Sequence, residues 1–294
     1  MIVVEKPRVI KFLLKSIITV LCFFGAITTS FAQEWQGVGG DHFIVNYFGD
    51  ENFAKEVSSK AELYYQRIAS DLGYPRYSEF WTWEHRVKIY IYPDHESFLK
   101  ATNQPSWSEG MADYTNKRII SYTHSEEFLI SILPHEMAHL IFRDFVGFKG
   151  EVPLWLDEGV AQWAEPLKRE RVKAVSKHLL NSDRLFSVKD MVNLDIRKVS
   201  SNSRIDIYSI PDEKGERKLL SLSGTEVVET FYVEAVSLVG FLIERYGADS
   251  FTEFCRQLRD GKSLEEALRL AYLTHITSIE ELESAWLKYL VEAE

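Results

Sequence analysis

The sequence His-Glu-Met-Ala-His at residues 135–139 constrains this chain more than any other stretch. Its two histidines are four residues apart, so on an α-helix they project from one face, one turn apart. The imidazoles of His135 and His139 can then share one cation, and this geometry suits Zn²⁺. Glu136 lies on the same turn, where its carboxylate can reach a water on the metal instead of the metal itself. The motif therefore predicts a helix that carries a hydrolytic metal site.

Two imidazoles alone make a weak metal site, so a third protein ligand is needed. Glu158 follows His139 after eighteen intervening residues and offers a carboxylate. Three protein ligands leave the fourth tetrahedral position for water. The motif also occurs on ordinary helices, but here apolar sequence surrounds it, and burying its polar groups without partners would cost roughly several kcal/mol. We therefore predict one Zn²⁺ ion bound by His135, His139 and Glu158.

The first 32 residues have the pattern of a secretory signal peptide. A basic stretch precedes an apolar run at residues 17–27, and small residues precede a predicted cleavage after Ala32. The apolar run is shorter than the roughly 20 residues that span a bilayer, which favours cleavage over an uncleaved membrane anchor. We therefore expect a periplasmic or secreted protein, attached to a membrane only if this segment is retained.

The charge of the remaining chain limits its partners. Residues 1–32 hold four of the 34 basic and one of the 44 acidic residues, so the rest has 30 basic and 43 acidic residues and a formal charge of −13. This acidity argues against a nucleic-acid partner. Cys255 is the single cysteine of that part, so no intrachain disulfide is expected. The sequence does not indicate an oligomeric state.

Periodicity predicts strands early in the chain and helices later. Strands are expected at residues 42–48 and 87–92, and a hairpin at 110–122. Helices are expected at residues 53–72, 94–99, 128–146, 153–165, 168–180, 225–246, 251–258, 263–272 and 278–291. Residues 199–224 have little sustained period and are predicted to be a loop, a lid or an insertion.

This order predicts an α+β fold, with a small mixed or antiparallel sheet before the metal helix and a mostly helical C-terminal half. We expect an α+β subdomain at residues 33–165 that carries the metal site. A helical C-terminal subdomain is expected at residues 166–294.

The motif at residues 135–139, followed by Glu158 in the sequence Asp-Glu-Gly-Val-Ala, resembles the gluzincin metallopeptidases. Among these it is most similar to the bacterial peptidase-MA-like family, which has a zincin-like fold. The resemblance implies that His135, His139 and Glu158 bind zinc and that Glu136 is the general base. It therefore implies hydrolysis of peptide or protein substrates. The alternative is a non-catalytic exported binding or scaffold domain that keeps the fold, but a purely structural zinc site would not need Glu136.

The resemblance also suggests residues that contact the substrate. A downstream tyrosine or histidine is expected to stabilise the oxyanion, and Tyr232 matches best in position, although it could simply pack in the core. An edge strand before the zinc helix is expected to pair with an extended peptide. The nearest counterparts are Gly110, Met111, Ala112 and Asp113. Because this stretch lacks the glutamate that binds a free amine in aminopeptidases, we expect an endopeptidase.

One position departs from the gluzincin pattern. Many members have an acidic residue one turn after the glutamate ligand, where it orients a ligand histidine. Gln162 occupies that position here and could accept the same hydrogen bond through its amide oxygen. Asp157 is the other candidate, although as the neighbour of Glu158 it is expected to point off the ligand face.

Overall fold

The computed structural model describes residues 34–73, 81–106, 108–123, 127–148, 152–212, 214–273 and 275–292. The predicted signal peptide and its cleavage site lie outside these residues. Trp35–Glu294 form one compact unit, within which the boundary at residue 165 stays a prediction. Over the described ranges, every helix is too short or too polar to cross a bilayer.

The N-terminal part is built on a five-stranded mixed sheet. Its strands are β1 (Gln36–Gly39), β2 (Phe43–Tyr47), β3 (Val87–Tyr92), β4 (Gly110–Asp113) and β5 (Arg118–Tyr122), in the order β1-β2-β3-β5-β4. β3 is parallel to β2 and β5, whereas β1 and β4 run antiparallel to their neighbours. β4 therefore lies at an edge of the sheet, and the predicted hairpin is confirmed.

Nine α-helices account for most of the remaining described residues. They are α1 (Glu51–Asp71), α2 (His95–Thr102), α3 (Leu133–Val146), α4 (Leu154–Ala164), α5 (Pro166–Asn181), α6 (Val188–Asn193), α7 (Gly224–Arg259), α8 (Leu264–Tyr272) and α9 (Ile279–Val291). α7 contains a break at Gly247, where φ is 84°, so it joins the two helices expected from the sequence. The α+β fold, with its mixed N-terminal sheet and helical C-terminal half, is confirmed.

Proline and glycine set the ends of the metal-motif helix. Pro134 lies in the first turn of α3, a position at which helices tolerate proline. A π-helical turn at Phe128–Ile132 leads directly into this turn. α3 ends at Gly147, which adopts the left-handed conformation with φ 79°. Pro134 thus lies in the first turn of α3, just before His135.

Helices α4 and α7 approach closely because each contributes a glycine. A Cβ on Gly159 of α4 would lie 2.6 Å from the carbonyl oxygen of Ala235 on α7. Since a backbone oxygen cannot shift cheaply, only glycine fits at this crossing. On α7, Gly240 leaves the space that the ring of Trp163 occupies. This contact fixes Glu158, the neighbour of Gly159, beside the first half of α7.

The structure adds elements that periodicity did not indicate. Residues 199–224 contain an antiparallel hairpin of β6 (Arg204–Tyr208) and β7 (Leu219–Ser223). Its strands alternate weakly because most of their side chains are exposed or half-buried. The short β1 and α6 were also not predicted, since four to six residues give little periodic signal.

Candidate metal centre

The three predicted ligands come together between α3 and α4. The Nε2 atoms of His135 and His139 are 3.2 Å apart, and His135 Nε2 is 3.8 Å from Glu158 Oε2. One ligating atom from each residue lies within 4.8 Å of the others. Within the described part of the chain, no fourth histidine, cysteine, aspartate or glutamate joins this group. The sequence spacing thus brings together three donors from two consecutive helices.

The donor geometry fits a tetrahedral zinc site. Two nitrogens at about 2.0–2.1 Å from one zinc ion, at a tetrahedral angle, are separated by about 3.3 Å. The observed 3.2 Å between the Nε2 atoms of His135 and His139 agrees with this value. The donor set of two imidazoles and one carboxylate is one that zinc enzymes use. His135, His139 and Glu158 are therefore suited to hold one Zn²⁺ ion.

His139 is supported on its buried side by Asp157. Its Nδ1 lies 3.1 Å from Asp157 Oδ1, and both residues are only 5% exposed. The other carboxylate oxygen of Asp157 accepts a 2.7 Å hydrogen bond from Arg143 on α3. Burial acts to lower the pKa of His139, but Asp157 and the nearby glutamates raise it to about 9. The carboxylates that raise this pKa also attract a metal cation to the same imidazole, which must release its proton when the metal binds.

His135 is supported by a residue at the other end of α4. Its Nδ1 lies 2.9 Å from Oε1 of Glu165, which follows the last residue of α4. Ser131 donates a 2.5 Å hydrogen bond to the other oxygen of Glu165, and Lys168 lies 2.8 Å from the first. With both Nδ1 atoms facing carboxylates, both Nε2 atoms are left free to face the shared site.

These contacts differ from what the sequence suggested for the supporting residues. Asp157 was expected to point off the ligand face, yet it contacts His139 because α3 packs across the first turn of α4. Gln162 lines the cavity beside the ligands and bonds to neither histidine among the described contacts. Glu165 was not predicted. It follows the end of α4, and the two turns between Glu158 and Glu165 bring it back to the same side as Glu158, a spacing that the sequence does contain.

Glu136 faces the open side of the site. It is partly buried, lines the cavity next to both histidines, and has no hydrogen-bond or ion-pair partner among the described residues. A carboxylate that no protein group occupies can accept a proton from a water or a substrate. Glu136 is thus placed as the sequence predicted, beside the ligands and not among them.

The ligands open onto a cavity of about 890 Å³. On one side it is lined by the edge strand β4, through Gly110, Met111 and Ala112. Asp113 does not line it: its carboxylate turns back to Arg118, 2.8 Å away, and to Asn116. This predicted substrate residue instead closes the turn between β4 and β5 in the structure.

Two tyrosines flank the metal ligands within this cavity. Tyr232, on the first half of α7, was predicted; burial and the charge of Glu158 raise its pKa to about 12, so its hydroxyl stays protonated at neutral pH. Tyr114, which follows β4 directly, was not predicted. Its ring meets the ring of His139 edge to face at 6.3 Å, and the guanidinium of Arg143 lies 4.3 Å from its centre. The sequence does place Tyr114 directly after the predicted substrate strand, and this position is the signal that could have identified it.

The fold and the site define a class: an α+β protein in which two consecutive helices bring the histidines of a His-Glu-x-x-His motif and a glutamate together as candidate metal ligands. Residues 81–225 match the family model described as the Peptidase MA superfamily. The match covers β3 to the start of α7 and includes all three predicted ligands and Glu136, so this part of the chain is similar to the Peptidase MA superfamily. It confirms the resemblance to the peptidase-MA-like gluzincins. A comparison with curated proteins gave no match.

Proposed function

We propose that this protein is an exported, zinc-dependent metallopeptidase that cleaves within extended polypeptides. One observation carries the proposal: two Nε2 atoms 3.2 Å apart and a carboxylate converge at the base of an open cavity, and Glu136 lines that cavity with no partner among the described residues. The Peptidase MA superfamily match supports a peptidase in particular.

The residues divide the chemistry of hydrolysis among them. A bound Zn²⁺ ion lowers the pKa of water toward about 7 and polarises a carbonyl group. Glu136 accepts the proton of the attacking water as the new C–O bond forms. It then delivers a proton to the amine as the C–N bond breaks. The protonated hydroxyl of Tyr232 donates a hydrogen bond to the carbonyl oxygen as negative charge develops on it.

The edge strand supports an extended substrate. β4 pairs on one side with β5, so its other side has backbone groups available for a further strand beside the cavity. Gly110, Met111 and Ala112 would align a peptide by main-chain hydrogen bonds, which do not depend on substrate sequence. No acidic side chain of β4 lines the cavity to bind a free amine, since Asp113 is bound to Arg118. This supports an endopeptidase over an aminopeptidase.

The proposed location and partners rest on the sequence. Residues 1–32 have the pattern of a signal peptide with cleavage after Ala32, so we propose a periplasmic or secreted protein. Its partners would be peptides or proteins, and its acidity argues against nucleic acid.

The alternative is a binding or scaffold domain that keeps the metal only to stabilise its fold. A structural zinc site has four protein ligands and is closed to solvent. The group of three donors facing an open cavity favours the enzyme.

Metal analysis combined with a peptide-library digest tests the proposal. We expect about one zinc ion per chain in the wild type and in Glu136→Gln. We also expect the variant to lose at least about 10²-fold in rate, because it lacks the base. Purified protein without stoichiometric zinc would contradict the metal site. Zinc in both forms with no cleavage by either would favour the scaffold.

A further inference from the structure

One end of the cavity continues away from the metal ligands between two helices. We name this part the helical arm; it is lined by Leu167, Arg171, Val172 and Val175 of α5 and by Glu229 and Val233 of α7. A second cavity of about 300 Å³ shares Val175, Glu229 and Val233 and extends the arm toward Arg184. The arm therefore has room for more than the residue at the point of cleavage.

The α5 wall of the arm is apolar but open to solvent. Leu167 and Val175 are 45% and 41% exposed, and they are among the large hydrophobic side chains exposed on this protein. Leu167, Arg171 and Val175 follow one another at intervals of four residues, so the three side chains lie along one face of α5. Exposed apolar side chains that line a cavity are typical of a binding surface. The arm is suited to an aliphatic substrate side chain.

The charges in and around the arm are largely paired, with two exceptions. Lys168 lies 2.8 Å from Glu165, and at the far end Arg184 lies 2.7 Å from Glu226. Arg171 on α5 and Glu229 on α7 are both exposed and have no ion-pair or hydrogen-bond partner among the described residues. These two are the charges of the arm that a ligand can engage without breaking an existing contact.

Arg171 is the stronger recognition element of the two. Its guanidinium has a planar fork of donors that matches a carboxylate in two parallel hydrogen bonds. It lies between Leu167 and Val175, so one ligand could fill the apolar wall and reach the guanidinium. Glu229 could pair a guanidinium through its own two oxygens, but its neighbour Val233 in the arm is half-buried, whereas Leu167 and Val175 beside Arg171 are exposed.

We propose that the helical arm is a subsite for a carboxylate next to an aliphatic side chain, and that Arg171 binds this carboxylate. The inference rests on the proposed peptidase function and specifies its substrate class. The carboxylate can be an acidic side chain or the C-terminus of the substrate. Glu229, facing the arm from α7, weakens the binding of such a ligand by charge repulsion.

Peptide binding to metal-loaded Glu136→Gln protein, measured by calorimetry, tests the subsite apart from catalysis. The probes are end-blocked peptides of one aliphatic sequence that carry either Glu or Gln at successive positions. A second pair compares the neutral peptide with a free and with an amidated C-terminus. We expect one Glu position, or the free C-terminus, to tighten binding about tenfold, and the pair that responds identifies the source of the carboxylate.

Three variants in the same background assign the effect. Arg171→Gln should abolish the preference for the carboxylate, and Glu229→Gln should increase it. Lys177→Gln removes a charge from an exposed position of α5 that does not line the cavity, so it should leave the preference unchanged.

The outcomes distinguish failure of the proposed subsite from failure of the proposed peptidase function. A preference that persists in Arg171→Gln, a preference for basic peptides, or no difference between the paired peptides overturns the subsite. If the Arg171-dependent preference is present but wild-type protein cleaves no peptide, the subsite stands and the peptidase function fails. If wild-type protein cleaves peptides but no charge preference is found, the peptidase function stands and the subsite fails.

Discussion

Two regions of this protein bury carboxyl groups, and the pKa values of these groups are shifted in opposite directions in the two regions. At the metal centre, burial acts to raise the pKa of Asp157 and Glu165, but the histidines and the adjacent Arg143 and Lys168 hold both values below their ordinary range. Among the described residues, Glu234 and Glu283 accept hydrogen bonds only from backbone N–H groups, at 2.6 Å from Phe186 and 2.8 Å from Val188.

Burial dominates in the second region, even though the charge of Arg217 acts to lower the pKa of Glu283. It raises the pKa of Glu234 well above its ordinary value, and that of Glu283 also rises. The comparison shows that burial alone does not determine the pKa values of the carboxylates at the metal centre. Asp157 and Glu165 are kept charged by what surrounds them, and each faces a histidine whose other nitrogen points at the predicted metal. Charged carboxylates in these positions increase the affinity of a histidine for a cation.

The largest effect is expected for Asp157→Asn. The variant keeps the size of the side chain but removes the charge that His139 and Arg143 both contact inside the protein. We expect zinc affinity to fall about 10–100-fold, measured by competition with a chromophoric chelator. Asp144→Asn is the control, since Asp144 lies on α3 but pairs with Lys117 and Trp81 instead of a metal histidine. Equal affinity in Asp157→Asn and wild type would contradict the role of Asp157.

A smaller loss of zinc affinity is expected for Glu165→Gln, about tenfold. The side chain of His135 is 21% exposed, against 6% for His139, so water can replace part of what Glu165 provides. The same chelator competition measures it. A loss larger than that of Asp157→Asn would show that the exposed histidine depends more on its carboxylate than the buried one.

A stabilising effect, measured on unfolding and not on zinc affinity, is expected for Glu234→Gln. The raised pKa means that Glu234 takes up a proton on folding above about pH 4.5. The wild type therefore loses stability as pH rises from the unfolded pKa to the folded one, by about 1.4 kcal/mol per pH unit. Gln keeps the acceptor for Phe186 without this cost. Urea unfolding at several pH values should show an advantage of the variant that is absent near pH 4 and grows toward neutral pH.

The control for this measurement is Glu170→Gln, at an exposed position of α5. It should change stability little and without the same dependence on pH. A constant difference between Glu234→Gln and wild type from pH 4 to pH 8 would show that Glu234 has an ordinary pKa in the folded protein.

The sequence predicted those parts of the fold and site that depend on local spacing. The pair of His135 and His139 follows from helical geometry. The long amphipathic helices were predicted near their observed bounds for the same reason. The α+β class followed from their order.

The parts that the sequence did not predict depend on how the helices and strands pack against one another. The contact of Asp157 with His139 requires the angle at which α3 crosses α4, which no single-helix argument supplies. Tyr114 reaches His139 because β4 is the edge strand next to β5, and the predicted hairpin did not specify how its turn would lie against α3. The hairpin of β6 and β7 has exposed strands, so its residues carry little burial pattern.

The proximity in sequence of the three ligands has a consequence for how the protein folds. They lie between residues 135 and 158, on helices joined by a short connection, whereas Tyr232 comes more than seventy residues after Glu158. Bringing α3 and α4 together closes a short loop, which costs less chain entropy than docking α7. The cation site can therefore assemble from a local helical hairpin early in folding, and a metal bound at that stage would hold this hairpin in its final geometry while the C-terminal helices are still unfolded.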